Sequence, residues 1–191
     1  MQAEALLQLI KNRRSIYPNM YTDRPIDQTT IQTILEAANW APNHRKTEPW
    51  RFKVFQGVAL QRLADYLGDY YKSNTPEALF SEMKYKKTIK KPIQSACVIA
   101  LCMQRDAEAR LPQWEEEAAL AMAVQNMWLM CTSLEIGSYW SSPKSIVQAQ
   151  EFLRLKEGES CYGLFFMGYH QAPELKAERS PIEDKVEWIS E

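Results

Sequence analysis

Apolar positions recur at helical spacing near the start of the chain. Leu6, Leu7, Leu9 and Ile10 predict a short amphipathic helix over residues 3–12. Asp27 is placed to cap a second helix at about 28–40, with Ile31, Ile34, Leu35 and Ala38 on one face. The period then changes to two. Trp50, Phe52 and Val54 alternate with Arg51 and Lys53, predicting a half-buried strand ended by Gly57. Residues 58–72 and 76–91 read as helices with polar faces. "SACVIALCM" at 95–103 is apolar on both faces and predicts a central strand. The longest helix is expected over 113–136, followed by a connecting loop, "GSYWSSPKS", at 137–145. "YGLFFMGY" at 162–169 reads as another buried strand, and "KVEWI" after Pro181 as a short terminal one.

The longest helix carries more than fold information. Acidic residues fill its first turn, which suits the helix dipole. From Ala118 to Ile136 it is apolar almost all round, so it must be covered on every side. A domain of 191 residues rarely covers such a helix alone, and a second subunit is the expected cover. The length itself fits a single domain over 1–191.

Composition narrows the classes. With 46% hydrophobic and 25% charged residues the chain resembles ordinary soluble proteins. A net charge of −1 provides no global field for nucleic acid or acidic membrane. "MQAEALLQLIKN" lacks a basic start before its apolar part, unlike a secretory signal, and no apolar run approaches the roughly 20 residues of a membrane span. Cys97, Cys102, Cys131 and Cys161 form no CxxC pair, and the only histidines are His44 and His170, which disfavours zinc. Cys97 and Cys102 are five apart in a strand and point to opposite faces. Reduced, buried thiols in a cytoplasmic protein are expected. "KYKKTIKK" holds five lysines between 84 and 91 and reads as a solvated helix face, with an anion-binding patch as the alternative.

Four segments remain as candidates for chemistry. Arg13, Arg14 and Ser15 combine two guanidinium forks with a hydroxyl, a set that binds phosphate. "APNHRKTEPWRF", 41–52, is a polar loop with a histidine and cations leading into a Pro–Trp strand start. "GSYWSSPKS" offers serines and backbone N–H groups, and "AERSPIEDK" places Arg179 after the last buried strand. No GxSxG motif accompanies the two histidines, so a Ser–His–Asp triad has little support.

The order of these segments resembles the nitroreductase family of FMN-dependent oxidoreductases, in particular its short branch. An N-terminal helix ends in RRS, and "TDRPI" leads to a helix. An "AP…PW.F" loop and strand follow, then a long helix opening on Trp–Glu, a strand ending in Gly–Tyr, and a terminal "ER.P" segment. The resemblance covers nearly the whole chain. It implies an α+β fold, a central mostly antiparallel sheet flanked by helices, in an intertwined homodimer with FMN at the interface. It assigns Arg13, Arg14, Ser15 and Arg179 to the FMN phosphate and ribityl chain. Pro42, Asn43, His44 and Lys46 would reach the flavin from the other subunit, and Trp140, Ser141 and Ser142 would lie near its ring. Many members carry a cation two residues after RRS, where this chain has Tyr17; Lys46 and Glu48 replace the Asn and Gln of the "N.QPW" variant. Tyr17, Lys46 and Arg24 are the candidates for the contacts to flavin N1, O2 and N3.

The implied activity is ping-pong electron transfer. NADH or NADPH delivers hydride to flavin N5, and a nitroaromatic, quinone or similar acceptor then takes the electrons. No side-chain catalyst, metal, nucleic acid or membrane partner is implied. Two other readings stay open: a flavin carrier or sensor of the same fold, and a non-flavin interaction module that dimerises through the long helix and binds an anionic partner through "KYKKTIKK".

Overall fold

The computed structural model describes residues 2–171 and 177–190. Four strands form one sheet in the order β1-β2-β4-β3, every neighbouring pair antiparallel. The strands are β1 (Trp50–Phe55), β2 (Cys97–Gln104), β3 (Ile136–Ser141) and β4 (Glu159–Tyr169). Period-two alternation in β2 sends Cys97, Ile99, Leu101 and Met103 to one face and Val98, Ala100 and Cys102 to the other. α2 (Gln28–Asn39) and α5 (Gln113–Ser133) cover the first face. α3 (Val58–Asn74) and the single-turn helices α6 (Lys144–Val147) and α7 (Gln150–Leu153) cover the second. α4 (Glu82–Ile93) packs beside α3, and α1 (Ala3–Asn12) lies against α5.

Local chemistry explains most boundaries. Asp27 caps α2, its carboxylate accepting from Thr30 N–H at 2.8 Å. Ser81 caps α4 by accepting from Lys84 N–H, so that helix starts six residues later than the pattern at 76 suggests; Pro76 instead precedes a 3-10 turn at Glu77–Leu79. α5 ends at Ser133, three residues before the expected 136, because Glu135 turns left-handed at φ 58.

The connecting loop expected at 137–145 is a strand over its first five residues. Glycine and serines suggest a turn, but pairing with β4 overrides that propensity, Tyr139 opposite Phe166 and Ser141 opposite Leu164. Gly137 is required by close approach: a Cβ there would lie 2.8 Å from the Ile16 and His170 side chains. The terminal strand expected at "KVEWI" does not form. After a 3-10 turn at Glu183–Lys185, residues 186–190 pair with no strand, and Trp188 and Ile189 stand exposed. In β1 the alternation fails at Val54, which is exposed, while Lys53 reaches inward to Glu159 at 3.1 Å.

All four cysteines are free and buried. Burial pushes the Cys97 and Cys131 thiols up to about 12. Among the described residues no helix is long and apolar enough to cross a membrane.

Candidate functional site

α1 ends at Arg13, whose N–H still donates to Leu9 carbonyl. The guanidinium of Arg13 lies over the Trp128 ring of α5, 4.7 Å from its centroid. Partial burial lowers its pKa, and Arg14 and Arg179 lower it further. Arg179 is thus close enough to act on Arg13 although they sit at opposite ends of the sequence. Arg14 Nη1 donates to the carbonyl of Arg13 at 2.8 Å, and Trp128 Nε1 donates to Arg14 carbonyl.

The chain then runs along the outer edge of β3. Ser15 forms a parallel bridge with Ser138, and Ile16 N–H donates to Ser138 carbonyl at 3.1 Å. This places Tyr17 against Tyr139, ring centroids 4.9 Å apart. Phe166 stacks on the other side of Tyr139 at 5.0 Å. Lys91 of α4 projects toward the same ring, its Nζ 5.7 Å from the centroid. Burial and then Lys87 lower the Lys91 pKa. The Tyr139 hydroxyl is buried without a hydrogen-bond partner; the Ser141 hydroxyl approaches without completing one. Burial pushes this phenol up to about 12.

Beside this cluster opens a cavity of about 350 Å³, lined among others by Tyr70, Tyr71, Thr88, Lys91, Ser141 and Phe166. It combines aromatic walls with a few polar groups, as small-molecule sites do. Sequence reading did not single out Lys91. The five-lysine run looked uniformly solvated, and only the packing of α4 on α3 turns its last member inward.

Trp140 and Ser141 sit differently from each other. Trp140 packs toward the α2–α5 side, and its Nε1 donates to Tyr162 carbonyl at 3.0 Å. Tyr162 is the extra residue of a β-bulge, where Leu101 pairs with Gly163 and Cys102 with Cys161. Trp140 is therefore a clamp on the bulge, whereas Ser141 lines the cavity. Strand alternation also sorts the backbone. Because Ser138 carbonyl faces the outer edge, so does Trp140 N–H, while Ser141 N–H faces β4. Ser142, just past the strand, is exposed.

The loop carrying Pro42, Asn43, His44 and Lys46 lies elsewhere. Asn43 side chain accepts from Glu48 N–H at 3.1 Å, and Arg45, Lys46 and Glu48 adopt left-handed φ of 52, 54 and 41. His44 Nδ1 is 2.7 Å from Glu115 in the first turn of α5. Trp128, which holds Arg13, comes thirteen residues later on the same helix. At about 1.5 Å per residue the two contacts are roughly 20 Å apart along the axis. Within one chain, the Arg13–Ser15 segment lies along the strand that carries Trp140 and Ser141, Arg179 is within electrostatic range of Arg13, and the 42–46 loop does not join them.

Arg13 and Arg14, an edge strand and an adjoining aromatic cavity are thus set on a helix–sheet–helix frame. Residues 10–169 match the nitroreductase family model, and the chain belongs to that family. YfhC of Bacillus subtilis (strain 168), provisionally named an NAD(P)H nitroreductase, is 29% identical, covering 96% of this chain and 94% of its own. The crystal structure of a nitroreductase-like family protein from Bacillus cereus superposes with TM-score 0.79 at 28% identity, covering 100% and 99% of the two chains. A provisionally named nitroreductase from Desulfovibrio desulfuricans, crystallised in complex with FMN, gives 0.72 at 25% identity, over 97% of this chain and 96% of the other.

Proposed function

We propose that the chain is an FMN-dependent oxidoreductase that passes electrons from NADH or NADPH to nitroaromatic, quinone or similar small acceptors by a ping-pong cycle. The whole chain, 1–191, serves as one FMN-binding domain of a cytoplasmic homodimer. The observation that carries this is the placement of Arg13 and Arg14 beside the edge strand that presents Ser141 to an aromatic cavity, with Arg179 within electrostatic range of Arg13. A dianionic phosphate suits several guanidinium forks.

The residues fit FMN on a second count. Among the described residues the buried Tyr139 hydroxyl has no hydrogen-bond partner, and Lys91, which lines the cavity, has no ion-pair partner. Arg13, Arg14, Ser15 and Arg179 would hold the phosphate and ribityl chain. Lys91, which lines one concavity with Tyr17, would supply the cation that the position two residues after Ser15 lacks. Ser141 and the outward N–H of Trp140 would line the ring edge, with Ser142 beyond. When bound, FMN supplies hydride acceptance and release at N5; the protein's share is orientation, charge and exclusion of water.

Pro42, Asn43, His44 and Lys46 complete the site from the other subunit. The roughly 20 Å along α5 supports this, since their own chain's Arg13 is out of reach. So does α5 itself, where Met122 remains 39% exposed on the face away from the sheet. The test is colour. The purified protein should be yellow and should bleach on anaerobic NAD(P)H addition, with acceptors restoring the absorbance. A colourless protein that takes up no FMN overturns the reading, and a yellow one that never bleaches is a flavin carrier.

A further inference from the structure

Four of the five lysines in "KYKKTIKK" are not simply solvated. Lys86, Lys87, Lys90 and Lys91 line one side of a cavity of about 550 Å³, with Tyr17 and Asn19 opposite. Lys87, Lys90 and Lys91 fall at helical i, i+3 and i+4 spacing, so they share one face of α4. Lys86 has a carboxylate partner, Glu82 at 3.4 Å. Lys87, Lys90 and Lys91 have no ion-pair partner among the described residues. Three uncompensated cations around one concavity repel one another, and an anion in their midst relieves that repulsion. Lys91 also lines the cavity that holds Ser141, so the two concavities adjoin through one side chain. Lys91 is half-buried at that junction, while Lys87 and Lys90 are exposed at the outer end.

We propose that Lys87 and Lys90 form a subsite for the ribose 2′-phosphate of NADPH, with Lys91 between them and the flavin, and make NADPH the preferred reductant. The inference rests on the oxidoreductase reading above. NADPH and NADH differ by this phosphate alone. A phosphate monoester carries about −1.5 to −2 charges at neutral pH and three acceptor oxygens. A nicotinamide placed at the ring beyond Lys91 leaves the far end of the dinucleotide to reach the outer lysines. The pyrophosphate is common to both reductants and gives no discrimination.

The experiment titrates the FMN-loaded protein with 2′,5′-ADP, 5′-AMP and inorganic phosphate by calorimetry, then follows anaerobic bleaching by NADPH and NADH. No acceptor is present, so a phosphate carried by an acceptor cannot contribute. The expected result is at least about tenfold tighter binding of 2′,5′-ADP than of 5′-AMP at low salt, weakening as salt rises. NADPH should show a matching advantage at low concentration. Lys87→Gln/Lys90→Gln should erase both advantages while NADH bleaching and FMN content stay as in the wild type, and Lys87→Arg/Lys90→Arg should keep them. Equal affinity for the two nucleotides, or phosphate binding as tightly as 2′,5′-ADP, overturns the subsite. An advantage that survives the double Gln variant does the same. Bleaching equally fast with NADH and NADPH removes this inference alone, whereas a bound flavin that neither reductant bleaches removes the oxidoreductase reading with it.

Discussion

The residues that carry charge at the site differ in how visible they were. Arg13 and Arg14 stand together in the sequence, and Arg179 could be joined to them only through resemblance. The structure then brings Arg179 within electrostatic reach of Arg13. Arg179→Ala should weaken FMN binding by about 1.5–3 kcal/mol, the range for hydrogen bonds to charged groups. Arg179→Lys should recover only part, because it loses the fork. Flavin fluorescence titration measures both. Lys91 was hidden among four similar neighbours, since charge pattern does not reveal which lysine a neighbouring helix will half bury. The thiols were legible from the start, because apolar runs surround three of them and Cys102 ends one. Burial and the raised Cys97 and Cys131 pKa values predict no thiol labelling by a disulfide reagent in the native protein and four labelled thiols after denaturation.

At the scale of elements, long periodic segments were legible and β3 was not. An edge strand of Gly, Ser, Tyr and Trp has no strong alternation, and its partner β4 is more than twenty positions away in sequence. Nor does a bulge announce itself. Gly163 follows the bulged Tyr162 at φ 140, and a Cβ there would lie 2.5 Å from both Ser141 carbonyl and Trp140 Nε1. Gly163→Ala should therefore cost about 1–3 kcal/mol of stability by overpacking, with β3 displaced from β4 next to the cavity. Denaturant unfolding gives the energy, and loss of FMN affinity reports the displacement. The start of α5 hangs on a different device. Glu116 is fully buried, paired with Arg105, and accepts from Asp106 N–H at 3.0 Å. Arg105 also donates to Leu111 carbonyl, so one ion pair fixes the 105–111 loop onto the helix. Arg105→Ala should destabilise the protein by about 3–5 kcal/mol, because it strands a buried carboxylate. Urea midpoints would show it.

On the scale of the whole molecule, the 42–46 loop stands apart from the other predicted site residues within one chain. Sequence resemblance put the 42–46 loop and the Arg13 cluster at one flavin, and a single chain holds them at opposite ends of α5. The helix pattern points to a second subunit as cover, and Met122 on the outer face of α5 is 39% exposed in the single chain. One sequence cannot reveal which chain a loop serves, because spacing along the chain is blind to the copy number. The exposed Trp188 and Ile189 of the tail belong to the same question, being apolar side chains that a partner surface would cover.

Whether each flavin site is shared between two subunits is decided by FMN titration of a mixed dimer. One chain carries Arg13→Ala and the other His44→Ala, each with its own affinity tag so that only mixed dimers are purified. If each flavin site joins Arg13 of one chain to His44 of the other, one site bears both lesions and the other is intact. The account predicts one FMN per dimer bound with wild-type affinity. Two equally weakened sites, with none of wild-type affinity, would contradict it and place His44 in the site of its own chain.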